Sequence, residues 1–254
     1  MRSVKVIGLS IVAVLALSAV MAASAFGATK NPMFQVEGTP IAAGEEVGIT
    51  ASAGGNQVLK ATGLTIECTN LSASATSVLL SGGLNKEALI YGGCFVPGKA
   101  CEVSSFSING TQSAIGKIET WGLNSKLEWL TKAGAEAEDL KQTGTLFEPA
   151  EENVKKEKLF AELEVTSCGL ANGKHKASGE VLVENEPGGT NANQASHSLV
   201  APATALKTYW RNETGTATEH AVSLFKVTPF GTATYSGTNN VKLGSGLNWN
   251  LGAA

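Results

Sequence analysis

Apolar residues in this chain recur at every second position, and that period limits the possible architecture more than any other feature. Leu64, Ile66 and Cys68 alternate with Thr65, Glu67 and Thr69, and Ala161, Leu163 and Val165 alternate with Glu162, Glu164 and Thr166. Val181 and Val183 are flanked by Glu180 and Glu184, while Leu247, Trp249 and Leu251 are separated by Asn248 and Asn250. Successive side chains of a strand point to opposite faces, so each run describes a strand with one buried and one solvated face. Turn-forming residues separate the runs: Gly54-Gly55, Gly82-Gly83, Gly92-Gly93, Asn109-Gly110, Asn172-Gly173, Pro187-Gly188-Gly189 and Asn239-Asn240. Short strands punctuated in this way build antiparallel sheets. The expected fold is all-β, an antiparallel sandwich or barrel-like assembly of one or two lobes with at most one short helix.

Two segments break the pattern. Arg2 and Lys5 precede an apolar run from Val6 to Val20, followed by Ala22, Ala23, Ser24 and Ala25. A charged head, a short apolar core and an Ala23-x-Ala25 site make residues 1–25 a secretory signal peptide. The run is shorter than the roughly 20 residues of a membrane-crossing helix. No later segment is apolar enough to span, so no integral membrane span is expected after cleavage. Of 254 residues, 229 then remain (254 less 25), enough for one large or two small β domains. The second segment, 132–158, is dense in charge and alanine. Pro149 suits the first turn of a short helix in which Glu151 and Glu152 face Lys155 and Lys156. It is read as a charged connector between β lobes at 26–131 and 159–254, unless these form one continuous domain.

Charge and motif content narrow the chemistry. Asp139 is the sole aspartate among 22 acidic residues, Arg2 and Arg211 are the only arginines among 19 basic ones, and the net charge is −3. Without a basic stripe there is nothing to neutralise phosphates, which excludes nucleic acid as a partner. The aspartate shortage removes the alternating oxygen ligands of a calcium loop. His175, His197 and His220 fall in three separate segments, and neither H-E-x-x-H nor G-x-S-x-G occurs. His175, between Lys174 and Lys176, reads as an exposed residue. No cofactor, metal or catalytic triad is expected.

Cys68, Cys94, Cys101 and Cys168 are an even count in an exported chain, which points to two disulfides and allows three pairings. A turn at Pro97-Gly98 would bring Cys94 and Cys101 together, leaving Cys68 to pair with Cys168. Zinc is disfavoured because the closest pair has six residues between its thiols rather than the two to four of a structural site.

Cys68 on a strand, Gly93-Cys94, Cys101, then Thr145-Leu146-Phe147, Phe160 and Cys168 before Ser178-Gly179-Glu180 form an order that resembles secreted β-rich proteins of soil actinobacteria. The resemblance spans most of the mature chain and implies export and a β fold. It implies no activity and carries over no functional residue.

Aromatic platforms are the remaining route to a ligand. Trp121 and Trp129 flank Leu123-Asn124-Ser125, read as a hairpin turn. A three-residue loop sets both rings on one face, where they could stack on a sugar if that face is wet; a two-residue loop sets them on opposite faces, and the preferred reading puts both in the core. Tyr209 and Trp210, beside Arg211, are a second candidate, as a surface contact or simply an edge strand. The expected protein is therefore exported to the cell surface or the medium and non-enzymatic, with a structural or ligand-binding role and a polysaccharide or envelope component as partner. The alternative is a secreted polysaccharide hydrolase working through paired glutamates such as Glu162 and Glu164 or Glu180 and Glu184.

Overall fold

The computed structural model describes residues 31–131, 142–150, 156–186, 192–202, 207–211, 217–220 and 224–251. The segment read as a signal peptide, 1–25, lies outside the described residues. In chain order, β1 (Gln35–Val36) and β2 (Thr39–Pro40) form a tight hairpin. β3 (Val47–Ala53) and β4 (Gln57–Ala61) lie end to end, broken at Gly54-Gly55. Next come β5 (Leu64–Ala73), β6 (Val78–Leu79), β7 (Leu84–Glu87) and β8 (Leu89–Phe95). β9 (Glu102–Phe106), β10 (Lys117–Glu119), β11 (Leu123–Thr131) and β12 (Gln142–Pro149) follow. β13 (Ala161–Thr166), β14 (Gly173–Ser178), β15 (Val181–Asn185) and β16 (Ser196–Ala201) come after them. The last elements are β17 (Lys207–Arg211), β18 (Ala217–His220), β19 (Lys226–Thr228), β20 (Gly231–Leu243) and β21 (Trp249–Asn250). Among the described residues there is no α-helix, only single 3₁₀ turns at Ser81–Gly83 and Gly169–Ala171. The protein is all-β.

The hydrogen-bonded ladders of the described residues close into two rings. One passes through nine strands, β20, β4, β5, β8, β10, β9, β13, β14 and β19, and returns to β20. The other passes through β20, β3, β6, β7, β11, β12, β15 and β16 before returning to β20. Long β20 belongs to both: Gly231 to Ser236 pair in the first ring, Gly237 to Leu243 in the second. Closure removes the unpaired sheet edges that an open sheet would expose. Every pairing is antiparallel except one parallel register, Ser104 opposite Lys117, where β9 meets β10. β17 and β18 extend from the far end of β11. β1, β2 and β21 form a separate small sheet. Its flanking Phe34 and Leu251, together with Trp249, pack on Ile49, Leu79 and Val241 inside the second ring.

Alternation predicts the inward faces well. Leu64, Ile66 and Cys68 on β5 and Ala161, Leu163 and Val165 on β13 are buried, and the residues between them are half-buried or exposed. Each fully buried Ile, Leu or Val contributes about 1.5–3 kcal/mol of hydrophobic stabilisation.

The stretches 26–131 and 159–254 each contribute strands to both rings. Two expectations change. Within 132–158, Gln142–Pro149 is strand β12, bonded to β11 on one side and β15 on the other. Pro149 ends that strand, where a residue without an N–H is tolerated; Glu151, Glu152 and Lys155 lie outside the described residues. Finally, Leu123-Asn124-Ser125 is the start of β11, not a turn. β7 and β12 bond it on both edges, so ladder pairing overrides the turn preference of Asn124 and Ser125.

The cysteine pairing is also corrected. All four are bridged, but as Cys68–Cys94 and Cys101–Cys168. β10 inserts between β8 and β9, so the turn at Pro97-Gly98 does not close a hairpin. Cys94 instead faces Cys68 across the β5–β8 ladder, with Cα atoms 4.0 Å apart. Cys101 and Cys168 flank the paired ends of β9 and β13, where Glu102 opposes Thr166.

Candidate functional site: a cavity where the rings meet

Where strands pass from one ring to the other, β3 and β4 are separated at Gly54-Gly55 and β14 and β15 at Gly179-Glu180, while β20 runs through unbroken. The facing pair Ala161 and Ala177 on β13 and β14 presents only methyl groups to this junction. A cavity of about 80 Å³ results. Leu59, Ile66, Ile118 and Leu163 wall it from the nine-stranded ring, and Leu123, Phe147 and Val183 from the other. Tyr91 and Tyr235 keep partial accessibility although protein surrounds them, because part of their surface is cavity wall. Apolar cavities of about 150 Å³ stay dry and admit benzene. Half that volume fits a molecule of about three heavy atoms on the same scale.

Polar side chains occupy one corner. Gln57 on β4 donates through Nε2 to the carbonyls of Gly55 and Thr238, both at 2.9 Å. The Tyr235 hydroxyl donates to Gln57 Oε1, with the Tyr91 ring packed edge-on against Tyr235 and Asn239 beside it. Burial pushes both phenols above their ordinary range, so they are neutral donors. Gly237 makes room for this corner: a Cβ there would run into the Gln57 amide.

Glu87, the last residue of β7, is buried nearby inside the second ring, only 8% exposed. Asn85 Nδ2 donates to its Oε1 at 3.1 Å, and Ser125 Oγ donates to Asn85 Oδ1. Desolvation raises the Glu87 pKa from 4.5 to about 7, partly offset by the hydrogen bond from Asn85 and by the nearby Ser125 hydroxyl.

The residues singled out in the sequence lie elsewhere. Trp121 and Trp129 are both 4% exposed, and Trp121 Nε1 donates to the Phe106 carbonyl at 2.8 Å. Neither presents a face to a sugar; both serve the core. The backbone places Tyr209 and Trp210 on β17, with Tyr209 opposite Trp129, while their side chains lie outside the described residues. His175 is buried rather than exposed, bonded to the Ala171 carbonyl at 2.8 Å and packed on Phe230. Strand alternation turns Lys174 and Lys176 outward and His175 inward. Buried His197 bonds the Trp249 carbonyl through Nε2 at 2.6 Å, with Glu186 3.3 Å from Nδ1. Glu162 and Glu164 sit on the outer face of β13, held by Lys174 at 3.6 Å and by Gln112. Among the described residues, no group of three or more His, Cys, Asp or Glu side chains is placed to hold a metal.

Nothing in the sequence marks Asn239 or Glu87 as interior residues, because a hydropathy pattern assigns polar residues outward. Compared with known proteins, the chain matches no family model, no curated protein and no solved structure. Its two disulfides fit an extracytoplasmic protein. Among the described residues, no helix is long and apolar enough to cross a membrane.

Proposed function

We propose that this chain is an exported, non-enzymatic binding protein that holds a small, largely apolar molecule between its two rings. The cavity itself carries the reading: a concave apolar space with a few convergent polar groups is the usual form of a small-molecule site. Residues 1–25, the two disulfides and the resemblance to secreted actinobacterial proteins support export. The outward faces of β5 and β13 carry Glu and Thr, unlike the apolar outer band of a membrane barrel. Burial of Trp121 and Trp129 moves the expected partner from polysaccharide to small molecule.

Size sets the affinity. At the ceiling of about −1.5 kcal/mol per heavy atom, three atoms give about −4.5 kcal/mol, a Kd of about half a millimolar at best. Methyl NMR of the oxidised protein, titrated with propane and ethanol, tests the proposal. Saturable shifts at Leu59, Ile66, Ile118, Leu163 and Val183 are expected, and filling the space with Ala177→Leu or Val183→Leu removes them. Shifts spread over surface methyls, or none, would refute it.

A further inference from the structure

Glu87 shares its surroundings with the junction cavity. Strand alternation turns Asn85 and Glu87 of β7 and Leu123 and Ser125 of β11 to one inward face. The register sets Glu87 opposite Leu123, and Ser125 between Asn85 on one side and Phe147 on the other. Leu123 is a wall of the junction cavity, and Phe147 is a wall of both that cavity and the smaller pocket that Glu87 lines.

No cation balances this carboxyl. Its donor is Asn85 Nδ2 at 3.1 Å, and Asn85 is oriented in turn by the Ser125 hydroxyl on its Oδ1. Among the described residues, no lysine, arginine, histidine or second carboxylate lines either space, and the titratable groups on the cavity side are Tyr91 and Tyr235. Lys86, Lys126, Glu128 and Glu148 alternate to the outward face of their strands. His197 stands behind Trp249, its ring centroid 4.3 Å from that indole, and its Nδ1 faces Glu186 instead. A buried carboxylate without a cation ionises at the cost of drawing in water. The pocket beside Glu87, about 20 Å³, has room for about one water molecule. Further water reaches the carboxylate by displacing Leu123 or Phe147, the walls that also hold the ligand space.

We propose that the junction cavity holds its apolar ligand while Glu87 is protonated and releases it as Glu87 ionises, because ligand and incoming water compete for the space behind Leu123 and Phe147. This regulation presupposes the binding reading above. Its sign follows from linkage. The folded pKa of Glu87 is about 7, so affinity is full below that pH and falls as pH rises through it. Reciprocally, a ligand that keeps water out makes Glu87 harder to ionise.

Methyl NMR titrations of propane into oxidised wild type and Glu87→Gln, at pH 6 and pH 8, test the linkage. With one linked proton and a midpoint of about 7, wild type should bind propane about tenfold more weakly at pH 8 than at pH 6. Glu87→Gln should give one Kd at both. A second readout needs no variant: the pH titration of the Glu87 carboxyl carbon, followed in wild type with and without propane, should shift to higher pH with the ligand. With propane bound at pH 6, an unchanged Kd at pH 8 would overturn the proposal. An equal loss in Glu87→Gln, or a Glu87 titration that propane leaves unmoved, would do the same. If propane moves no cavity methyl at pH 6, the binding reading itself fails and its regulation with it.

Discussion

Replacing Glu87 by Gln should make the protein more stable at pH 8 and leave it nearly unchanged at pH 4.5. Burial holds this carboxyl in its protonated form, with a pKa of about 7 in the fold against 4.5 for an exposed group. Between those values the folded state binds more protons than the unfolded state, so stability falls as pH rises. The contribution is fully present below pH 4.5 and lost once pH passes 7. A difference of about 2.5 pH units at about 1.36 kcal/mol each amounts to roughly 3 kcal/mol. Gln matches the protonated carboxyl in shape and can still accept from Asn85 Nδ2, but has no proton to lose. Urea unfolding of the oxidised protein from pH 4 to 8.5 would give the difference curve between variant and wild type. That curve should rise by about 3 kcal/mol, equivalent to about 6–12 °C in Tm for a chain of this size. A flat curve, or a variant less stable than wild type at pH 8, would refute the claim that Glu87 is buried without a compensating charge.

His197 should show the opposite limb. Desolvation lowers its pKa below 6.5 and outweighs the Trp249 carbonyl and Glu186, so the folded state resists a proton that the unfolded state accepts. Wild type is therefore expected to lose stability relative to His197→Gln as pH falls below about 6.5, and parallel unfolding curves would contradict this. Gly237→Ala should cost about 1–3 kcal/mol through displacement of Gln57, and much less when Gln57→Ala is already present. An equal cost in both backgrounds would place the damage elsewhere. Trypsin digestion without reductant should link peptide 61–86 to 87–99 and peptide 100–117 to 159–174. A link between 87–99 and 100–117 would restore the local pairing. In the loop-entropy account, spans of 26 and 67 residues stabilise by about 3.5 and 4.4 kcal/mol.

Strand faces were legible in the sequence wherever burial and hydropathy agree, as at Ile66, Leu163 and Trp249. They were not legible where a polar side chain points inward. On β20 the buried or cavity-facing positions are Ala233, Tyr235, Asn239, Val241 and Leu243, a period of two that Asn239 hides from any hydropathy pattern. Glu87, His175 and Glu184 are hidden for the same reason, being polar side chains that point inward. Pairing was illegible because it is non-local. The disulfides follow from β10 lying between β8 and β9, and β11 survives a turn-like Asn124-Ser125 because two other strands hold it. The cavity is a product of two rings meeting, so no single segment could announce it.

The most direct test of the two-ring fold with its junction cavity is a crystal structure of the oxidised protein under xenon pressure. The expected result is a xenon atom bounded by Ile66, Ile118, Leu163 and Phe147, beside the Asn239 amide. A collapsed junction with these side chains in mutual contact, or xenon confined to the surface, would contradict it.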